Sequence, residues 1–139
     1  MVLNHVQIEF LGEMGQRGSY NALMPGTSRR DDSKEMNAID IARLARPVFE
    51  NHNVERAILF GSFATGRQNR KSDVDLILVK RTAERYFERF EGLLRDLYRA
   101  IPGREIDCFI YTPEELTSIA HRFFVRRALD EGRVIYERG

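Results

Sequence analysis

Residues 61–79, GSFATGRQNRKSDVDLILV, decide the fold of this chain. The stretch opens on a Gly-Ser pair that ends one apolar run, Ala57-Ile58-Leu59-Phe60, and closes in a second, Leu76-Ile77-Leu78-Val79, led in by two aspartates. Strand, tight turn, strand is the simplest reading. Side chains alternate faces along a strand, so Asp73 and Asp75 project from one face with their carboxyl-bearing carbons roughly 6–7 Å apart. Two carboxylates that close repel by about 2–3 kcal/mol at an effective dielectric near 20. A cation between them would relieve the repulsion.

Working outward, the chain of 139 residues is one domain by length and long enough to bury a core without staples. Its net charge of +1, from 22 Lys+Arg against 21 Asp+Glu, argues against a general nucleic-acid coat, which shows as a strong basic excess. Cys108 is the single cysteine, so no internal disulfide forms. There is no run of 18 apolar residues and no signal-peptide pattern, and the expectation is a soluble cytoplasmic protein that does not contact membranes.

Residues 1–35 differ from the rest. Val6, Ile8 and Phe10 alternate with Gln7 and Glu9 like a short half-buried strand, and 12–34 are rich in Gly, Ser, Arg and Asp, like a loop. Either an accessory edge strand with a mobile loop or an extension ahead of the domain fits, since structureless stretches this long are uncommon inside compact domains. A self-sufficient domain could begin at Met36, giving an extension over 1–35 and a domain over 36–139.

From Asn37, Ile41, Leu44, Ala45 and Val48 make one apolar stripe at helical spacing, with Pro47 expected to kink the helix or start a new turn. Arg56 to Phe60 is the first core strand. Past Val79, Thr82 is a good N-cap for a long helix carrying Tyr86, Phe90, Leu93, Leu94, Leu97 and Ile101, stopped by Pro102-Gly103. Glu105 to Tyr111 reads as a strand. Thr112-Pro113-Glu114-Glu115 is a complete capping box with proline at the first helical position, opening a helix to about Asp130 that ends at Gly132 as a C′ glycine. Val134 to Tyr136 forms a last short strand.

Asp107 interrupts an apolar strand, where an unpaired charge is costly. If its strand lies beside Val74 to Val79, Asp107 joins Asp73 and Asp75 in a three-carboxylate cluster beside the Gly-Ser turn. Hard divalent cations take such oxygens, and Mg²⁺ typically combines a few carboxylates with substrate phosphates. The cluster predicts nucleoside-triphosphate chemistry. The plain alternatives are a solvated pair for Asp73 and Asp75 and a salt bridge from Asp107 to Arg56 or Arg104. Cys108 points away from Asp107 and reads as a small buried hydrophobe. His5, His52 and His121 show no ligand spacing, and Arg122, Arg126 and Arg127 beside Phe123 and Phe124 read as a solvated basic stripe, with a partner or RNA face as the alternative.

Gly61-Ser62, ten residues, then Asp73-Val74-Asp75 within Ser72-Asp73-Val74-Asp75-Leu76 resembles the nucleotidyltransferase superfamily that shares the palm of DNA polymerase β, and within it the minimal nucleotidyltransferases. The resemblance covers about residues 37–137. It implies an α/β (α+β) fold, a small mixed sheet flanked by helices. It also implies that Asp73 and Asp75 bind two Mg²⁺ ions, and that Asp107 ligates one of them and helps to deprotonate an attacking hydroxyl. Gly61 and Ser62 would hold the triphosphate of ATP, with Ser72 in the motif. Relatives often carry arginines where this chain has Phe63 and Thr65, so Arg67, Arg70 or Lys71 would have to supply the phosphate contact, Arg67 foremost. The small size leaves little room for an acceptor domain. Stand-alone members look like antitoxins paired with a HEPN-type RNase toxin, some inactivating it by transferring AMP to a tyrosine. The alternatives are a non-catalytic antitoxin that covers its partner, and transfer to a small molecule such as an aminoglycoside.

Overall fold

The computed structural model describes residues 36–139, so the strand expected at Val6 to Phe10, the loop after it and His5 lie outside the described residues. The elements in order are helix α1 (Ala38–Asn51), strand β1 (Arg56–Phe60), the one-turn helix α2 (Ser62–Thr65), β2 (Val74–Val79), a 3₁₀ turn (Tyr86–Phe90), α3 (Leu93–Ala100), β3 (Ile106–Tyr111), α4 (Pro113–Ile119), α5 (Phe123–Glu131) and β4 (Arg133–Glu137). The four strands form one mixed sheet in the order β3-β2-β1-β4, with β2 and β3 parallel and the other two pairs antiparallel.

Both faces of the sheet are covered, which is why β1 to β3 read as nearly unbroken apolar runs. On one face Leu59, Leu76, Leu78, Cys108 and Ile110 pack with Ile41, Ala45 and Phe49 of α1 and Leu93, Leu94 and Leu97 of α3. On the other, Ile58, Phe60, Ile77, Phe109 and Tyr111 pack under Ala128 and Leu129 of α5 and Leu116 and Ile119 of α4. β2 and β3 share one burial pattern: every residue is buried except the second. Those two residues are Asp75 and Asp107.

Five local expectations change. The stripe over α1 is present and Asn37 closes a capping box with Asp40, but the helix runs on through Pro47. Pro47 and Arg43, whose carbonyl loses its helical donor, are both exposed, so water can serve that carbonyl. The connection after Gly61 is not a tight turn, because α2 and an irregular segment occupy residues 62–73. The helix expected from Thr82 is two pieces, the 3₁₀ turn and α3, divided at Gly92 with φ +75°. Thr82 instead accepts from the Glu84 N–H in a local turn.

The last helix is also two, α4 and α5, with the Thr112 capping box in place on α4. Gly132 follows α5 at φ −75°, so it is not the left-handed C′ glycine expected. Its lack of a side chain serves space: a Cβ there would run into the Ala128 carbonyl oxygen and lie 2.8 Å from Cγ2 of Ile58.

Candidate active site

The end of the sheet where β1 finishes and β2 and β3 begin brings the sequence-predicted residues together. In parallel pairing the register sets Asp75 opposite Asp107, and β1 sets Phe60 opposite Asp75. Register partners face the same way, so the two carboxylates stand side by side on the α4/α5 face. Gly61 follows Phe60 directly. Its φ of +74° is one that side chains rarely adopt, and a Cβ there would collide with the Asp75 carboxylate. Glycine at 61 thus lets the Asp75 carboxylate lie against the backbone that leads into α2.

Burial pushes the Asp75 carboxyl up to about 7, with the charges of Asp107 and then Asp73 adding to it. Asp73 lies one residue before β2 and is exposed. Among the described residues no three His, Cys, Asp or Glu side chains stand as a ready-made metal group. The donor set nevertheless fits a hard divalent cation: carboxylate oxygens only, gathered at one strand end, with Asp75 held in a field of like charge that a cation reverses. The residues that would hold it are Asp75 and Asp107, with Asp73 at the rim.

The remaining predicted residues are placed less centrally. Ser62 opens α2, and its carbonyl accepts from the Arg67 N–H at 2.9 Å. Arg67 itself is exposed in the segment that follows. The Ser72 hydroxyl accepts from the Asn69 N–H at 2.8 Å, which closes a turn just ahead of Asp73. Phe63, where relatives often carry arginine, is buried in the core at 1% exposure, and Thr65 is exposed with its hydroxyl on the Gly61 and Ser62 carbonyls.

Two arginines matter to the site's framework: Arg104, which the sequence offered only as an ion-pair partner for Asp107, and Arg89, which it did not single out. Arg104, just before β3, lies over the Phe63 ring and donates to the Asn69 and Ser72 carbonyls. Arg89, buried in the 3₁₀ turn, grips both carboxylate oxygens of Glu115. No local pattern marks the pairs Arg89–Glu115 and Arg104–Asn69, whose members lie 26 and 35 residues apart.

Of the plain alternatives, Arg56 is committed to Glu137 at 2.9 Å. His52 is hydrogen-bonded to Asp96 at 2.8 Å, and the pair holds the Asp96 carboxyl below its usual range. Cys108 is fully buried on the face opposite Asp107, and burial pushes its thiol up. Among the described residues no helix is long and apolar enough to cross a membrane.

A small mixed sheet flanked by helices, with paired aspartates at one strand end beside a Gly-Ser turn, defines the class of palm-like nucleotidyl-transfer domains. The "Polymerase beta, Nucleotidyltransferase" family matches residues 43–139, and the chain belongs to that family. A relative from Methanocaldococcus jannaschii, named as a candidate protein adenylyltransferase, is 33% identical over 82 residues, which is 55% of this chain and 80% of the relative. Among solved structures, a chain from a toxin–antitoxin structure with AMP-PNP superposes with a TM-score of 0.52 at 23% identity, covering 74% of this chain and 75% of its own length. That likeness is one of fold.

Proposed function

We propose that this nucleotidyltransferase moves AMP from ATP to a hydroxyl of a partner protein, and that the partner is a HEPN-type RNase toxin which the transfer silences. The observation that carries the proposal is the side-by-side pair Asp75 and Asp107 against the Gly61 backbone. The protein-adenylyltransferase name of the M. jannaschii relative supports a protein acceptor, and the toxin–antitoxin source of the structural neighbour supports a toxin.

In this reading Asp73, Asp75 and Asp107 hold two Mg²⁺ ions. When bound, such ions acidify the attacking hydroxyl and neutralise the departing pyrophosphate. Gly61 and Ser62 seat the triphosphate with backbone N–H groups and a hydroxyl donor, and Arg67 contacts phosphate from the following segment. The acceptor oxygen forms a bond to the α-phosphorus as the bond from that phosphorus to the pyrophosphate oxygen breaks. Asp107 takes up the hydroxyl proton.

The test is to incubate the protein with the product of its neighbouring gene, ATP and Mg²⁺, and to weigh that product by mass spectrometry. An adenylyl increment that disappears with Asp75→Asn is expected. No increment while nucleotide still binds would falsify the transfer step.

A further inference from the structure

We propose that Arg104 is a positioning residue of this site: one guanidinium that ties the Gly61-Ser62 turn to the entry of Asp73 from the chain segment that carries Asp107. The inference rests on the carboxylate site proposed above. Asp73 lies outside β2, so the strand ladder does not place its side chain. What precedes it is irregular, from Arg67 to Ser72, apart from turns closed by the Ser72 hydroxyl and the Asn69 side chain. Arg104 reaches into this segment. Its Nη1 donates to the Asn69 carbonyl at 2.7 Å and to the Ser72 carbonyl at 3.1 Å, the latter belonging to the residue just before Asp73.

The same guanidinium lies 5.3 Å from the centre of the Phe63 ring, and Phe63 sits next to Ser62 in α2. Phe63 is anchored in the core, so the contact references the segment to a fixed point. The neighbouring Glu105 carbonyl accepts from the Val74 N–H at 2.8 Å and fixes the other side of Asp73. Asp73 is therefore held between two contacts made by residues 104 and 105, three and two positions before Asp107. One short stretch sets the spacing of all three carboxylates. A planar cation with several donors suits this task, because a single side chain satisfies two carbonyls while stacking on a ring.

Two readouts test the proposal, neither of them catalytic turnover. Hydrogen exchange in Arg104→Ala is expected to speed up by about tenfold or more over residues 66–73 while staying at wild-type rates over α3 and β3. Mn²⁺, used as the probe cation, is expected to bind about tenfold or more weakly to Arg104→Ala, in the range that outer supports of metal ligands typically contribute. Low millimolar guanidinium should restore both toward wild type, and Arg104→Lys should fall between, since an ammonium keeps the charge but not the stack. Unchanged exchange over 66–73, or exchange raised evenly across the domain, overturns the proposal. So does wild-type Mn²⁺ affinity in a variant whose parent site is sound. If Asp75→Asn binds Mn²⁺ as tightly as wild type, the carboxylate site itself is at fault, and the exchange measurement alone decides whether Arg104 holds the segment.

Discussion

Asp75 and Asp107 are register partners across the parallel β2–β3 pair, and each is the one residue of its strand that the core does not bury. Burial raises the Asp75 carboxyl from 3.8 to about 7, with the charges of Asp107 and then Asp73 adding to it. Between those two values the folded state keeps a proton that the unfolded chain has released. Stability from this group is therefore full below the unfolded value and is lost as the pH rises through about 7. Asp75→Asn removes the dependence. We expect the variant to be more stable than wild type at about pH 8 and closer to it at about pH 4, as read by urea midpoints. Parallel profiles for the two proteins would contradict the placement of Asp75.

A cation bound among these carboxylates reverses the sign of their mutual effect. Mg²⁺ should raise the melting temperature of the wild type by binding the native state, and the rise should be larger above pH 7 than near pH 5.5, where protons compete for Asp75. Asp75→Asn should show little of it. Thermal scans with Mg²⁺ and with EDTA decide the point; an equal rise in the variant would place the cation elsewhere.

Gly61 and Gly132 separate function from stability. A Cβ at Gly61 meets the end of the Asp75 side chain, which can swing away, whereas one at Gly132 meets the Ala128 backbone carbonyl and Ile58. Gly132→Ala should thus cost about 1–3 kcal/mol of stability by overpacking and leave Mn²⁺ binding intact in the folded fraction. Gly61→Ala adds strain of about 1–3 kcal/mol, because φ +74° with ψ −153° is a conformation nearly reserved for glycine, but its main effect is displacement of Asp75 and loss of Mn²⁺ affinity. Equal Mn²⁺ loss in both variants would undo the distinction.

The strands of the core were legible because their signals are local. Arg56 to Phe60, Val74 to Val79 and the run through Asp107 are apolar stretches of strand length, and Asp107 was noticeable as a charge where cost forbids one. The parallel pairing of β2 with β3 could be posed only as a condition, because register depends on packing across the chain. Helix division was the weak part. Periodicity carries straight through Tyr86 to Ile101, yet Gly92 takes a left-handed turn that the spacing of Phe90 and Leu93 does not reveal. At Gly132 the residue was the right punctuation for the wrong reason, close approach rather than φ. Arg104 was named only as an ion-pair candidate for Asp107, and Arg89 not at all, since the partners they take, Asn69 and Glu115, are distant in sequence.

Arg89 shows what the division of the helix accomplishes. The 3₁₀ turn places its guanidinium at 6% exposure, where it donates to both Glu115 oxygens at 2.6 and 2.9 Å and to the Glu84 and Ile110 carbonyls at 3.1 Å. One side chain thereby joins the 3₁₀ turn, the end of β3 and the start of α4. Removing it strands the buried Ile110 carbonyl and half of an ion pair, a loss that typically reaches 3–5 kcal/mol for buried pairs. Glu115 is half exposed and keeps the Thr112 N–H, so Arg89→Ala should cost about 2–3 kcal/mol, at or below the bottom of that range. Arg89 holds the Glu115 carboxyl below its usual range, so this contribution is present above the unfolded value of 4.5 and is lost as the pH falls through the lowered folded one. Urea unfolding of Arg89→Ala and wild type across that interval should therefore converge on acidification. A constant gap down to low pH would show that Arg89 stabilises through its carbonyl contacts alone.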